Sequence, residues 1–216
     1  MSHLKRIASP KSWIIPRKGT KYLLIPYPGK ALEISMPLGM IIRDLLQLTH
    51  KKKETRAFLK NKEIMVDGKV IEEEKFPVSI FDTIAIPSLK KFYRVSINSR
   101  GKFELNEIKE NEISSKILKV IGKTSLKKGK IQLNLFNGRN MLSDKSVKVN
   151  DSLLVDLEKN SIIKHIPLKE GCEIYILGGK HLGEKGTIKS MKENNAQVNI
   201  GGKAFEIQLK NVYVLK

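Results

Sequence analysis

The side chains best placed to do chemistry in this sequence are cations at helical spacing. Lys52, Arg56 and Lys60 lie four residues apart, so on a helix they share one face. Three cations in register repel one another, which an anionic partner would relieve; a solvated helix face is the competing explanation. Lysine and arginine hold phosphate oxygens through charge-assisted hydrogen bonds. Lys51, Lys53 and Lys62 flank the row, and Lys69 follows in a turn. The pattern suits phosphate binding without bond breaking.

No catalytic constellation accompanies it. His3, His50, His165 and His181 have no partner at metal-ligand spacing and join no nucleophile motif. Gly122-Lys123-Thr124 resembles the end of a phosphate loop, but Ile117 stands where that loop needs glycine. Gly178-Gly179 with Gly183 and Gly186 lacks the dinucleotide spacing. Asp151 and Asp156 read as solvated acids in turns. No catalytic, cofactor or metal site is expected, and no small-molecule substrate.

Elements that could position the cations follow from periodicity. Leu38, Ile41, Ile42, Leu45 and Leu46 form an apolar stripe that predicts an amphipathic helix over 38–48, entered from Pro37. A second helix is expected from about Lys51 to Asn61, burying Thr55, Phe58 and Leu59. Asp67-Gly68 between Val66 and Val70 predicts a hairpin. Residues 92–168 read as short strands around turns at Ser99-Arg100-Gly101, Lys128-Gly129-Lys130, Asn137-Gly138 and Asn150-Asp151. From Ile174 onward a second β unit turns on Gly178, Gly179, Gly183 and Gly186. The fold class is α+β, mostly β and multi-domain. The expected divisions are an extended arm over 1–36, a helical hairpin module over 37–90, a central small β-barrel or sandwich over 91–170, and a β-barrel unit over 171–216.

Charge supports a polyanionic partner. The 216 residues carry 41 Lys and Arg against 22 Asp and Glu, a net +19. Such an excess attracts nucleic acid over several ångströms. An anionic membrane could use the same charge, but no apolar run approaches a spanning helix, so no membrane partner is expected. The start lacks the apolar core of a signal peptide. One cysteine, Cys172, cannot close an internal disulfide, which fits a reducing cytoplasm. The arm is +6 and residues 91–170 are +8, whereas 37–90 is only +2, so its basic corner is local. The acids Glu72-Glu73-Glu74 stand away from it in sequence. Pro10, Pro16, Pro26 and Pro28 keep the arm extended. Trp13 either stacks on a base or anchors the arm on a protein surface.

Three segments carry a family resemblance. His3-Leu4-Lys5-Arg6 with Pro10, Lys11 and Trp13 resembles the opening of the archaeal/eukaryotic-type small-subunit ribosomal protein S-four-e family. Residues 38–86 resemble that family's S-four-type RNA-binding module, and 174–207 resemble a KOW motif, an SH3-like β unit. The resemblance implies an archaeal member, cytoplasmic and in the small ribosomal subunit, that binds small-subunit rRNA, meets neighbouring ribosomal proteins and supports subunit assembly and translation. It is not expected to be an enzyme. Expected rRNA-binding residues are Lys5, Arg6, Lys11, Arg17, Lys18, Lys51, Lys52, Lys53, Arg56, Lys60, Lys62, Lys69, Lys180 and Lys185. Lys62 departs from the glycine that many such modules carry at the helix end. The alternative is a transcription-elongation or RNA-processing factor using the RNA-binding module and the KOW unit.

Overall fold

The structure, a computed structural model, describes residues 3–16, 18–127, 130–143, 147–192 and 194–215. It is mostly β with few helices, and it divides into two compact units at Ser114 and Ser115.

In the first unit, β1 (Leu4–Lys5) pairs antiparallel with β2 (Tyr22–Leu23), Leu4 opposite Leu23. Between them sits Trp13, only 2% exposed, its indole N–H donating to the Ser35 carbonyl at 2.8 Å. The Phe103 N–H donates to the Ser12 carbonyl at 2.9 Å, and the Lys102 ammonium donates to the carbonyls of Lys11 and Trp13. These bonds fasten the arm, and burial removes Trp13 from any stack with a base.

β3 (Ser35–Pro37) leads into α1 (Leu38–Met40), which continues as a π-helical segment over Ile41–Leu45. The Leu46 N–H reaches back five residues to the Ile41 carbonyl at 2.9 Å. A wider turn rotates the following residues about the axis. Leu38, Ile41 and Ile42 are therefore fully buried, while Leu45 and Leu46 are only half-buried. This corrects the regular helix expected over 38–48. Gln47, with φ 54°, has already left the helical conformation.

α2 (Lys52–Lys60) buries Thr55 and Leu59 as expected, but Phe58 only partly. Glu54 caps its start by accepting the N–H groups of Lys51 and His50 at 3.1 and 3.0 Å. Those bonds hold the Glu54 carboxyl below its ordinary range. Just past the C-cap Asn61, Lys62 has a left-handed φ of 60°. That is the conformation glycine adopts most easily, and a side chain there costs on the order of 1 kcal/mol.

β4 (Met65–Val66) and β5 (Lys69–Val70) close over Asp67 and Gly68, both at positive φ, as a type I′ turn requires. β6 (Pro77–Ser79) pairs with β3. β7 (Thr83–Ile86), β8 (Lys91–Ile97) and β9 (Phe103–Glu107) extend the hairpin into a sheet ordered β5-β4-β7-β8-β9. The boundary expected between 90 and 91 falls inside this sheet. Thr83 pairs with Arg94 across it, because Pro87–Leu89 and the left-handed Lys90 reverse the chain tightly. Residues 91–114 thus complete the first unit instead of opening a central one.

The second unit holds two five-stranded antiparallel sheets. The first contains β10 (Ser115–Ser125), β11 (Ile131–Leu135), β12 (Asn140–Ser143), β13 (Ser152–Asp156) and β14 (Ser161–Ile166), ordered β12-β11-β10-β13-β14. β10 pairs with β13 through 115–119 and with β11 beyond an irregularity at Val120/Gly122. Leu118, Val120, Leu133, Leu153 and Val155 fill its core. Asn137-Gly138 and Asn150-Asp151 turn as expected; Lys128 and Gly129 lie outside the described residues.

The second sheet contains β15 (Glu173–Ile176), β16 (Lys185–Lys192), β17 (Asn195–Ile200), β18 (Lys203–Gln208) and β19 (Val212–Val214), ordered β18-β17-β16-β15-β19. Its last strand returns beside its first, with Ile174, Ile176, Ile188, Val198 and Val214 in the core. Gly186 has no room for a side chain: a Cβ there would meet Val198 Cγ1 at 2.6 Å and the Asn199 carbonyl at 2.8 Å.

Lys119, 3% exposed, ties β10 to this second sheet. Its ammonium donates to the carbonyls of Leu209, Lys210 and Val212 at 2.7, 3.0 and 2.7 Å. The Tyr213 hydroxyl donates back to the Ile117 carbonyl. Burial pushes the Lys119 pKa down to about 8, and the three carbonyls favour the charged form against that pull.

Two outcomes follow for stability. Ile42→Ala should destabilise the chain by about 2–5 kcal/mol in denaturant titration, and Leu45→Ala by clearly less. Above about pH 8 folded Lys119 releases its proton before the unfolded chain does, so wild type should gain stability with pH relative to Lys119→Met. The expected slope is on the order of 1 kcal/mol per pH unit up to the ordinary lysine range. A pH-independent difference between their denaturation midpoints would contradict the lowered pKa.

Candidate nucleic-acid interface

The basic corner forms where the turn at His50 and Lys51 delivers the chain into α2. Lys51, Lys53 and Lys60 are exposed. Among the described residues, no carboxylate lies within ion-pair distance of them. Lys52 and Arg56 differ. Both reach Glu74 Oε1, at 3.4 and 2.8 Å. Glu74 is 8% exposed, and its segment lies against the helix pair because the Gly39 N–H donates to the Glu74 carbonyl at 2.9 Å. Lys62 similarly meets Glu72 at 3.5 Å. The acids that stand apart from the corner in sequence are folded onto it in space.

This partial neutralisation has an electrostatic signature. Burial works to raise the Glu74 pKa, but the hydrogen bond from Arg56 and the charge of Lys52 outweigh it and hold the carboxyl below its ordinary range. The same contact raises the Arg56 guanidinium. Lys52 and Arg56 keep more than half of their side-chain surface exposed, so each can face a phosphate while Glu74 fixes its base.

The other expected residues separate by role. Lys5, Lys11, Lys18 and Lys69 are exposed. Arg6 is half-buried and committed to the arm: its guanidinium donates to the carbonyls of Pro16 and Thr20. Arg17 lies outside the described residues. In the second unit Lys180 and Lys185 are exposed, Lys185 at the start of β16 opposite Tyr175. Lys116 and Lys119 are buried, so the second unit's formal charge overstates its surface charge.

Asp151 is not the solvated acid expected. It is 3% exposed and accepts the His165 ring nitrogen at 2.7 Å and the N–H groups of Lys148 and Leu168 at 2.9 and 3.0 Å. Asp156 ends β13 and accepts the N–H of Glu158 at 2.9 Å from the turn that follows. His181 pairs with Glu184 at 2.9 Å and packs on Phe205.

Sequence reasoning missed a recess of about 380 Å³ between the arm and the helix pair. Tyr22 and Leu24 from the arm, Gly39 and Arg43 from the first helix, and Lys52 and Glu74 line it. Arg43 is held by Asp44 through two bonds at 2.8 and 2.9 Å. The signal available was the exposed Lys21-Tyr22 pair in an acid-poor arm.

Lys52→Ala with Arg56→Ala leaves Glu74 without its cations. The double variant should show a modestly lowered denaturation midpoint, modest because both cations are half-exposed. Adding Glu74→Gln should restore the midpoint. The contribution of Glu74 is present above the ordinary carboxylate range and is lost as pH falls through its lowered folded pKa. The difference between wild type and the triple variant should therefore shrink on acidification, as read by thermal melts at descending pH.

Comparison with known proteins identifies the chain's relatives. Residues 89–162 match the model for the Ribosomal family S4e, and residues 2–29 match that for the RS4NT domain. The small ribosomal subunit protein eS4 of Archaeoglobus fulgidus is 38% identical over 88% of this chain and 80% of its own length. Its counterpart in Nanoarchaeum equitans is 36% identical over 97% of this chain and 93% of its own. The crystal structure of the 30S ribosomal protein S4e from Thermoplasma acidophilum superposes with a TM-score of 0.74 at 33% identity, covering 84% of this chain and 94% of that one. The arm fastened by Trp13, the helix pair and the two β sheets beyond it are thus those of a chain that belongs to the small ribosomal subunit protein eS4 family.

Proposed function

We propose that the chain is a structural constituent of the small ribosomal subunit, that it binds small-subunit rRNA through its basic surfaces, and that it supports subunit assembly and translation. Family membership along nearly the whole chain is the observation that carries this reading. The role is structural rather than enzymatic, and its place is the small subunit in the cytoplasm.

Within that role, residues 37–90 act as an S-four-type RNA-binding module and 171–216 as a KOW-type unit. The helix pair and type I′ hairpin of the first unit support the former. The five-stranded sheet whose last strand rejoins its first supports the latter. Residues 91–114 complete the sheet of the first unit, 115–170 supply the β structure that leads to the last sheet, and exposed protein surface is left for neighbouring ribosomal proteins.

Binding proceeds by replacing counterions on RNA phosphates, so added salt weakens it steeply. An A-form helix offers its backbone and shallow minor groove, and a rigid set of cations reads their spacing. Lys51, Lys53 and Lys60 on the corner, Lys69 on the hairpin, and Lys5, Lys11 and Lys18 on the arm are the exposed cations of the first unit assigned to phosphate. Lys180 and Lys185 do the same in the second. Lys52, Arg56 and Lys62 contribute their outward faces.

The test is sedimentation of the full chain with small subunits through a salt wash. Wild type should stay with the particle. Truncating the arm would also remove the buried Trp13, so charge reversal is the cleaner variant. Lys5→Glu, Lys11→Glu and Lys18→Glu together should lower incorporation at an unchanged melting temperature and reduce the salt slope of rRNA binding by about 1 per lost contact. Full retention of the triple variant would remove the arm from the interface.

A further inference from the structure

The recess beside the arm has two features that the basic surface alone does not explain. First, it is walled by an exposed aromatic. Tyr22 is 47% exposed, although it stands on β2 within the fastened arm. Its ring packs against His3 at 5.2 Å between centroids and carries the Lys21 ammonium 5.5 Å from its own. An exposed tyrosine beside a cavity gains nothing from water on its apolar face.

Second, the recess carries both signs of charge, with Glu74 paired to Lys52 at 3.4 Å and Arg43 to Asp44 at 2.8 Å. The Glu74 carboxylate lies in its wall, with Lys52 on the neighbouring turn of α2 and Lys21 above the ring. A phosphate driven toward Glu74 would meet a like charge. A nucleobase would not, because it is neutral and presents N–H groups to an acceptor. Phosphates are drawn instead to Lys21 and Lys52. The recess of about 380 Å³ lies within the size range of pockets that enclose a small planar group.

We propose that this recess receives one unstacked nucleotide of RNA, its base laid against Tyr22 and Leu24 and its flanking phosphates held at Lys21 and Lys52. The inference rests on the rRNA-binding reading above. It adds a stacking contact to a surface otherwise built on charge, and a stacked base fixes register along the strand where phosphate contacts do not. Tyr22 takes the role that the sequence offers to Trp13.

The experiment compares wild type, Tyr22→Ala and Tyr22→Phe as full-length chains binding a small-subunit rRNA fragment over a salt series. Tyr22→Ala should weaken binding roughly tenfold, the loss of one base–aromatic stack, with the salt slope unchanged because no phosphate contact is lost. Tyr22→Phe keeps the ring and should bind as wild type does. Ultraviolet cross-linking of the wild-type complex, read by mass spectrometry, should place a nucleotide adduct within residues 20–24. Unaltered affinity of Tyr22→Ala, a loss that also changes the salt slope, or adducts confined to other segments would each overturn the proposal. A wild-type chain that binds no rRNA would overturn the underlying reading too, a result distinct from one in which rRNA binds and Tyr22 is ignored.

Discussion

Self-repulsion weighs on every element of a chain with a net charge of +19, and the few acids are placed where folding needs an anion. Asp82, fully buried, accepts the Ser79 N–H at 2.7 Å and the Lys30 ammonium, which locks the turn between β6 and β7. Asp67 accepts the Thr83 N–H at 3.0 Å and sets the hairpin against β7. Asp151 gathers His165 and two backbone donors at the end of the first sheet of the second unit. Glu54 caps α2, and Glu74 holds two of its cations. With these acids engaged at structural sites, Lys51, Lys53 and Lys60 keep, among the described residues, no carboxylate within ion-pair distance. The interface is what remains after the fold has drawn on its acids.

Local signals were easy to read in this sequence and spatial ones were not. The Asp67-Gly68 hairpin follows from backbone conformations that few residue pairs adopt. The buried Thr55 and Leu59 follow from helical period. The π-helical segment was hidden, because the stripe Leu38, Ile41, Ile42, Leu45, Leu46 looks the same whether or not one turn widens. β12, β14 and β19 carry weak local signals: Asn140–Ser143 and Ser161–Ile166 are edge strands with mixed faces, and Val212–Val214 is too short to show alternation.

The candidate interface was legible in residue type but not in state. Lys52 and Arg56 were visible as cations, yet their shared contact with Glu74 depends on a backbone approach between Gly39 and Glu74 that spans 35 residues. Arg6 reads as a free cation and is bonded to carbonyls of its own arm. Lys119 reads as surface charge and is a buried donor to three carbonyls. In each case the sequence names the group, and tertiary hydrogen bonds decide whether it faces solvent. Lys62 shows the reverse. It keeps the left-handed helix end that glycine would make easily, so stability and charge favour different residues at one position.

Trp13 is the sole tryptophan of the chain, and it is buried where the arm seats on the first unit, outside both core clusters of the second. Its emission is therefore an intrinsic optical reporter of a single event. A blue-shifted band marks an arm seated on Ser35, and a red shift marks its release, whatever the two sheets of the second unit are doing. Arm undocking can be followed by intrinsic fluorescence without a label, separately from unfolding of the second unit.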